Sequence, residues 1–398
     1  DPLLECPQFK NLMTRDRYFL LLRVLHFCDN NNQPEGDRLY KIKLVVNHLR
    51  QKFSDSFRPF NHLCIDESMV LFKGRLIFRQ FIPSKRTRFG IKLFIICDCE
   101  TGYILDFIVY TGKCTEIVST EEYGVSGAVV QTLMQKYLGQ GHTLWVDNWY
   151  TSPSLFNFLH SNKVNSCGTV RKTRKGMPSL KKKLKKGEVE AKYTTNIMAL
   201  RWLDRREVCM LSTLHSNELK NTDKKDKQNI PIQKPTCVIQ YNRNMGAVDR
   251  SDMMISSVDS LRKSMKWYRK LFFHIMDMCI LNSQTLYNVK TGKNIPLADF
   301  QLSVIRELIK KHHTGGTSTK RGRPPISRDQ PLRLTARHFP SPVPPTPKKQ
   351  YPTRYCTVCS NTTTCEKKRR ESRYMCSECG VALCVFPCFE KYHTLNNY

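Results

Sequence analysis

Acidic residues are scarce in this 398-residue chain, with 34 Asp and Glu against 65 Lys and Arg and a formal net charge of +31. That shortage makes a polyanion the natural partner, with nucleic acid ahead of an anionic membrane surface. Long apolar runs are also missing. None approaches the ~20 residues of a spanning helix, which excludes an ordinary helical membrane protein, and no signal peptide is visible. A starting Met is absent too: the chain opens on Asp1, so further N-terminal sequence is expected. Cysteine is abundant but patternless over most of the length, with ten scattered before residue 356 and seven crowded from it onward. Scattered thiols suit a reducing interior, whereas a dense paired cluster suits zinc, and together they point to a cytosolic or nuclear protein.

The hydrophobic share of 40% is enough for packed cores, and the length implies roughly two to four modules. Residues 1–62 read as helical, with "RYFLLLRVLHF" (Arg17–Phe27) too apolar for a surface loop. From Cys64 the period changes. "ESMVLF", "IKLFIIC" (Ile91–Cys97) and "ILDFIVYTG" (Ile104–Gly112) predict three consecutive strands. A helix follows, capped by Thr120 and stopped at Gly139, then a strand ending at Asp147, a helix over Ser152–Asn162 and a short strand into "CGTVRK". Three antiparallel strands followed by alternating helices and strands give the layout of an α/β RNase H-like core, spanning 63–170 and completed by 236–258.

Composition marks the remaining boundaries. Ten Lys or Arg but two Glu lie between Arg171 and Lys192, ahead of short strand candidates, so 171–235 reads as a basic, β-rich insertion domain. Amphipathic spacing predicts helices from Val248 to about Lys311, with 259–312 a second helical segment. Residues 313–352 hold Gly, Pro, Ser and basic residues with little to bury, and read as a linker. A cysteine-rich module closes the chain at 353–398.

Within that order, three acids occupy comparable junctions. Asp66 lies where the first core strand begins, Asp147 ends the fourth strand, and Asp249 opens a helix with Asp252 on the same helical face. Any one of them is most simply a cap or turn residue. Together, on a sheet whose first and fourth strands are neighbours, they converge on one edge. Clustered carboxylates raise one another's pKa, and divalent metal removes that cost. Mg²⁺ (or Mn²⁺) takes such hard oxygen ligands, and two ions ~3.5–4 Å apart serve phosphodiester chemistry. Asp66, Asp147 and Asp249 are the expected ligands, with Asp252 beside them.

The sequence "CIDESMVLFKGRLIFRQFIPSKRTRFGIKLFIICD", with "WVDNWYTS", "CGTVRK", "NMGAVDRSDMM" and the terminal "YCTVC…YMCSEC…LCVFPCFEKYHT", resembles the piggyBac family of DNA transposases in motif order over essentially the whole chain. By that resemblance Asp66, Asp147 and Asp249 match the family's catalytic aspartates (a DDD set), and Asp252 an additional acid. Ala247 and Met253 stand where the family often has Gly and Gln, and neither change removes a ligand. The resemblance also implies an insertion domain, flanking helical dimerisation and DNA-binding segments, a homodimer, and double-stranded DNA partners: the transposon terminal repeats and a TTAA target. It implies cleavage at the transposon end, a hairpin intermediate and strand transfer. A domesticated, DNA-binding relic that no longer transposes is the alternative.

DNA contacts follow from charge and motif. In the terminal module Cys356/Cys359 and Cys376/Cys379 form two C-x2-C pairs, whose spacing lets both thiolates reach one ion. Cys384, Cys388 and His393 bring the set to seven, which implies two zinc ions with one place left for Cys365 or a water; the pairing is open. The resemblance assigns this module to the transposon ends. "KRGRPP" reads either as a minor-groove hook carrying Arg321 and Arg323 or as plain basic linker. "KKKLKK" (Lys181–Lys186) suits general phosphate contact or nuclear import. Arg171, Arg174 and Lys175 follow a core strand, and the resemblance aims the arginines at DNA near the acids. Trp267, with Arg262 and Lys263 upstream, either stacks on an unpaired base or packs into the helical core. A DNA partner makes the expected location nuclear.

Overall fold

Alternating apolar runs between residues 62 and 212 join into a single mixed sheet in a computed structural model, which describes residues 12–83, 85, 87–180, 182–225, 229, 231–260, 264–312, 338–363, 369–395 and 397–398. The chain divides into two units, Asp1–His313 and Thr314–Tyr398. In the first, β1 (His62–Leu71), β2 (Gln80–Phe81), β3 (Phe89–Asp98) and β4 (Ile104–Val109) are followed by β5 (Thr143–Val146) and β6 (Asn165–Thr169). β1 pairs antiparallel with β3, and β3 with β4, whereas β5 and β6 run parallel to β1. Parallel neighbours need crossover connections, and helices supply them.

Both faces of the sheet are covered. Leu63, Ile65, Phe94, Ile96, Leu144 and Val146 point to one apolar cluster, and Cys64, Leu93, Ile95, Cys97 and Trp145 to the other. The helices, in chain order, are α1 (Arg15–Val24), α2 (Lys43–Ser56), α3 (Gly124–Met134), α4 (Pro153–Ser161), α5 (Thr236–Asn244), α6 (Ala247–Ser257), α7 (Trp267–Thr291) and α8 (Leu297–His312). α3 and α4 fill the first cluster through Val129, Val130, Leu133, Leu155, Phe156 and Leu159. α2, α5, α6 and α7 fill the second through Val46, Phe53, Cys237, Val248, Ile255, Leu271 and Ile275. The result is a mixed α/β fold with a sheet between two helical layers.

The basic segment after β6 does not stand apart from this sheet. Its strands β7 (Val189–Tyr193), β8 (Met198–Leu203) and β9 (Glu207–Ser212) extend it, because β9 pairs antiparallel with β6. A separate hairpin, β10 (Leu219–Lys225) with β11 (Pro231–Pro235), leads into α5. In the second unit, β12 (Pro340–Pro342), β15 (Tyr374–Cys376) and β16 (Val381–Ala382) form one small sheet, and β13 (Arg354–Tyr355) pairs β14 (Glu371–Ser372). Helices α9 (Thr357–Asn361) and α10 (Cys388–Thr394) complete it.

One local expectation changes. The expected cap Thr120 lies outside the helix, since Tyr123 holds the N-cap position of α3 without a side-chain cap bond. The left-handed φ of Gly124 (67°) lets the chain turn into the helix there. The apolar run in α1 buries nothing among the described residues, and Phe19, Leu20, Leu21 and Val24 are exposed. By contrast, Ser152 caps α4 as its sequence suggests, accepting a hydrogen bond from the Leu155 N–H with Pro153 in the first turn.

Candidate active site and metal centres

The β1–β5 register brings the first two acids together. Ile65 lies opposite Val146 on parallel strands, so Asp66 and Asp147 leave adjacent strands at the same level, where strands run ~4.8 Å apart. Side-chain parity does the rest. Ile65 and Val146 face the α3–α4 layer, so the next residue on each strand turns to the other face, where α6 packs through Ala247, Val248 and Ile255.

Helix α6 supplies the other two acids from its first turns, where carboxylates complement the positive end of the helix dipole. Asp252 accepts a 2.6 Å hydrogen bond from Ser68 Oγ on β1. Asp249 is 67% exposed at its side chain, and its Oδ1 lies 3.3 Å from Lys85 Nζ. The same ammonium lies 3.8 Å from Asp66 Oδ2 and donates to the Glu67 carbonyl at 2.9 Å. Asp249, Asp252 and Lys85 line a cavity of about 500 Å³ with Met69, Ile255 and His274. Among the described residues, the metal-type groups whose ligand atoms all lie within 4.8 Å of one another are both in the second unit. The aspartates are therefore spread around the site rather than collapsed to one point.

Burial dominates the electrostatics. It pushes the Asp66 carboxyl up to about 7, with Glu67 and Asp147 adding to the rise and Lys85 opposing it. Asp252 is raised to about 6 by burial, against the Ser68 hydrogen bond and Lys85. Asp147 is raised as well, again by burial, although the Trp149 N–H donates to its Oδ1 at 2.8 Å. Asp66, Asp147 and Asp252 are half-buried, hard oxygen donors with raised pKa values, and an ammonium already bridges Asp66 to the exposed Asp249. A divalent cation fits such a set.

Lys85, Glu67 and Lys92 enter this site without any sequence signal that singled them out. Lys92 Nζ sits 4.6 Å from the Phe94 ring centre, 4.8 Å from that of Trp149 and 4.0 Å from Glu67. Phe94 and Trp149 are stacked, so this cation braces the loop that follows Asp147.

Two of the expected DNA-binding residues reach the same loop. Arg171 Nε donates to Asn148 Oδ1 at 3.2 Å, and the half-buried Arg174 donates to the carbonyls of Asn148 and Trp149. Arg174 thus clamps the loop, while Lys175 is exposed. Trp267 is half-buried and meets Phe78 edge-on at 5.3 Å, in the core of the second helical layer. Arg262, Lys263, Arg321, Arg323 and Cys365 lie outside the described residues.

The second unit carries two four-ligand groups, Cys356–Cys359–Cys384–Cys388 and His338–Cys376–Cys379–His393. Their ligand atoms approach at 3.3–3.6 Å, as in Cys359 to Cys388, His338 to Cys376 and Cys379 to His393. Such edges suit a tetrahedron with bonds of about 2.0–2.3 Å, the geometry of structural zinc. Two outer contacts support the ligands: Phe389 O bonds His393 Nδ1 at 2.7 Å, leaving Nε2 to the site, and the Cys384 N–H donates to Cys356 Sγ. His338 completes the second group of four among the described residues, whereas the expected Cys365 lies outside them. That histidine lies in the stretch read as linker, 18 residues before the first C-x2-C cysteine, and its basic, proline-rich surroundings hid it.

Comparison with known proteins agrees with this architecture. A family model described as Transposase IS4 matches residues 1–284. PiggyBac transposable element-derived protein 3 of Homo sapiens is 28% identical over 96% of this chain and 63% of its own length. PiggyBac transposable element-derived protein 2 of Homo sapiens is 26% identical over 69% of this chain and 48% of its own. The chain thus spans less than two thirds of these relatives. A cryo-EM structure of a piggyBac transposase synaptic complex with hairpin DNA shares the fold, with a TM-score of 0.69 at 22% identity, covering 98% of this chain and 82% of that one. With most of its length inside the transposase model, the chain belongs to the piggyBac family of transposases.

Proposed function

We propose that this chain is a metal-dependent DNA transposase with an RNase H-like core, in which Asp66, Asp147 and Asp249 form the catalytic triad and Asp252 assists. The convergence of acids from β1, β5 and α6 on one face of the sheet carries this reading. When bound, Mg²⁺ or Mn²⁺ would activate the attacking oxygen and stabilise the leaving one. The chain's own residues then have separate tasks. Asp66 and Asp147 offer oxygen donors from two strands held rigid by the core, and Ser68 fixes the rotamer of Asp252. Arg174 and Lys92 hold the loop after Asp147 in place. By family resemblance the reaction proceeds through hairpin ends to joining at TTAA.

The remaining assignments form part of the same proposal. Zinc occupies both four-ligand groups, and the folded second unit recognises the transposon ends. The exposed apolar face of α1 fits a homodimer, and a DNA substrate places the protein in the nucleus. Incubating the full chain and Mg²⁺ with supercoiled plasmid bearing family-type ends tests the function. Hairpins and joined products are expected from wild type and neither from Asp66→Ala. Bound but uncut DNA would instead favour a domesticated binding protein, a reading prompted by the "transposable element-derived" names of the human relatives.

A further inference from the structure

We infer that Lys85 is an internal counter-ion which holds the acid site together before metal arrives and which metal must displace, so that this lysine sets the metal affinity of the site. The inference rests on the carboxylate–metal reading above. Lys85 Nζ stands between Asp66 on β1 and Asp249 on α6, 3.8 and 3.3 Å from their nearest oxygens, and is anchored by the Glu67 carbonyl at 2.9 Å. It thereby ties a strand to a helix far away in sequence, across a gap where carboxylates alone would repel. Lys92, another cation near these acids, is held elsewhere, against the Phe94 and Trp149 rings and Glu67.

The chemistry of the side chain suits an exchangeable role. An ammonium is a point charge on a flexible four-carbon stem, and this one is 24% exposed, so it can leave without unpacking the core. A divalent ion takes the same hard oxygens with twice the charge. The expelled ammonium remains tethered beside the site by its own stem.

Mn²⁺ titration of the full, zinc-loaded chain, followed by the electron paramagnetic resonance of free Mn²⁺, tests this. Lys85→Met should bind Mn²⁺ about five- to tenfold more tightly than wild type, the scale expected for removing a unit charge a few ångströms away. Lys85→Arg, which keeps the charge, should stay near wild type. The Lys85→Met chain should also melt lower than wild type without added Mn²⁺, and level with it at saturation, because the metal replaces the lost cation. Equal or weaker Mn²⁺ binding by Lys85→Met, or a melting deficit that persists at saturation, would overturn the inference and leave Lys85 a structural contact. Asp66→Asn separates the two layers. If it binds Mn²⁺ like wild type, the metal-site reading fails and takes this inference with it. If it loses Mn²⁺ while Lys85→Met is unchanged, the lysine inference alone fails.

Discussion

Asp98 and Asp147 both end apolar strands, yet their surroundings give them different work. Asp98 is fully buried and saturated, taking hydrogen bonds from the N–H groups of Phe60, Glu100 and Thr101 and from the Thr101 hydroxyl. It is a structural turn residue. Asp147 accepts from the Trp149 N–H and leaves its strand level with Asp66 on the neighbouring one. Asp147→Ala or Asp66→Ala should therefore abolish plasmid cleavage while leaving end binding, measured by filter retention, within a few-fold. Asp249→Asn should be as damaging, since its exposed carboxylate faces the site directly. Asp252→Asn should slow cleavage less, because an amide oxygen can still accept from Ser68. The pH dependence has a definite sign. The Asp66 carboxyl sits at about 7 in the folded chain, above the ordinary 3.8. The folded chain therefore keeps this carboxyl protonated up to about 7, and the stability that proton contributes is full below 3.8 and lost as pH rises through about 7. Metal needs the ionised form, so Mn²⁺ affinity should climb from about pH 6 to about pH 8 and then level off. In Asp66→Asn that climb should flatten, which the same titration repeated across pH would reveal.

Gly168 shows how an element can control the site from beneath. A Cβ built there would lie 2.3 Å from Thr151 Oγ1 and 2.5 Å from the Val146 carbonyl, and Thr151 Oγ1 itself donates to the Asp147 carbonyl at 2.8 Å. Gly168→Ala should push the end of β5 and its acid out of place and cost roughly 1–3 kcal/mol by overpacking. Thermal melting and cleavage rate should fall together, with the rate falling further than stability alone explains. β1, β3 to β6, α4 and the junction at Asp249 were legible in the sequence, because period-two burial and cap residues are local signals. Pairing is not local: nothing within Glu207–Ser212 says that β9 joins β6. Lys85 was illegible for the same reason. It is one basic residue in "PSKRTRFG", distinguished by what the fold sets opposite it.

At the scale of the molecule, a charge of +31 and a compact ligand cluster do different jobs. Diffuse Lys and Arg attract any DNA through counter-ion release, and that attraction fades with salt. Recognition of particular bases needs a surface of fixed shape, which a unit as small as Thr314–Tyr398 would gain mainly from the proposed zinc in its two four-ligand groups. His338 is the critical point, because its group takes two ligands from the C-x2-C at Cys376/Cys379 and two histidines from the flanks. The other group is all cysteine and independent of it. His338→Ala should therefore lower bound zinc from two ions per chain to one, read by elemental analysis of the purified protein. Sequence-specific end binding should weaken towards the level of random DNA, while binding at low salt to any DNA persists with its steep salt dependence. Cys365→Ala should keep both ions and full specificity. If instead Cys365→Ala loses an ion and His338→Ala does not, the eighth ligand is the cysteine, and the segment before residue 353 returns to being linker.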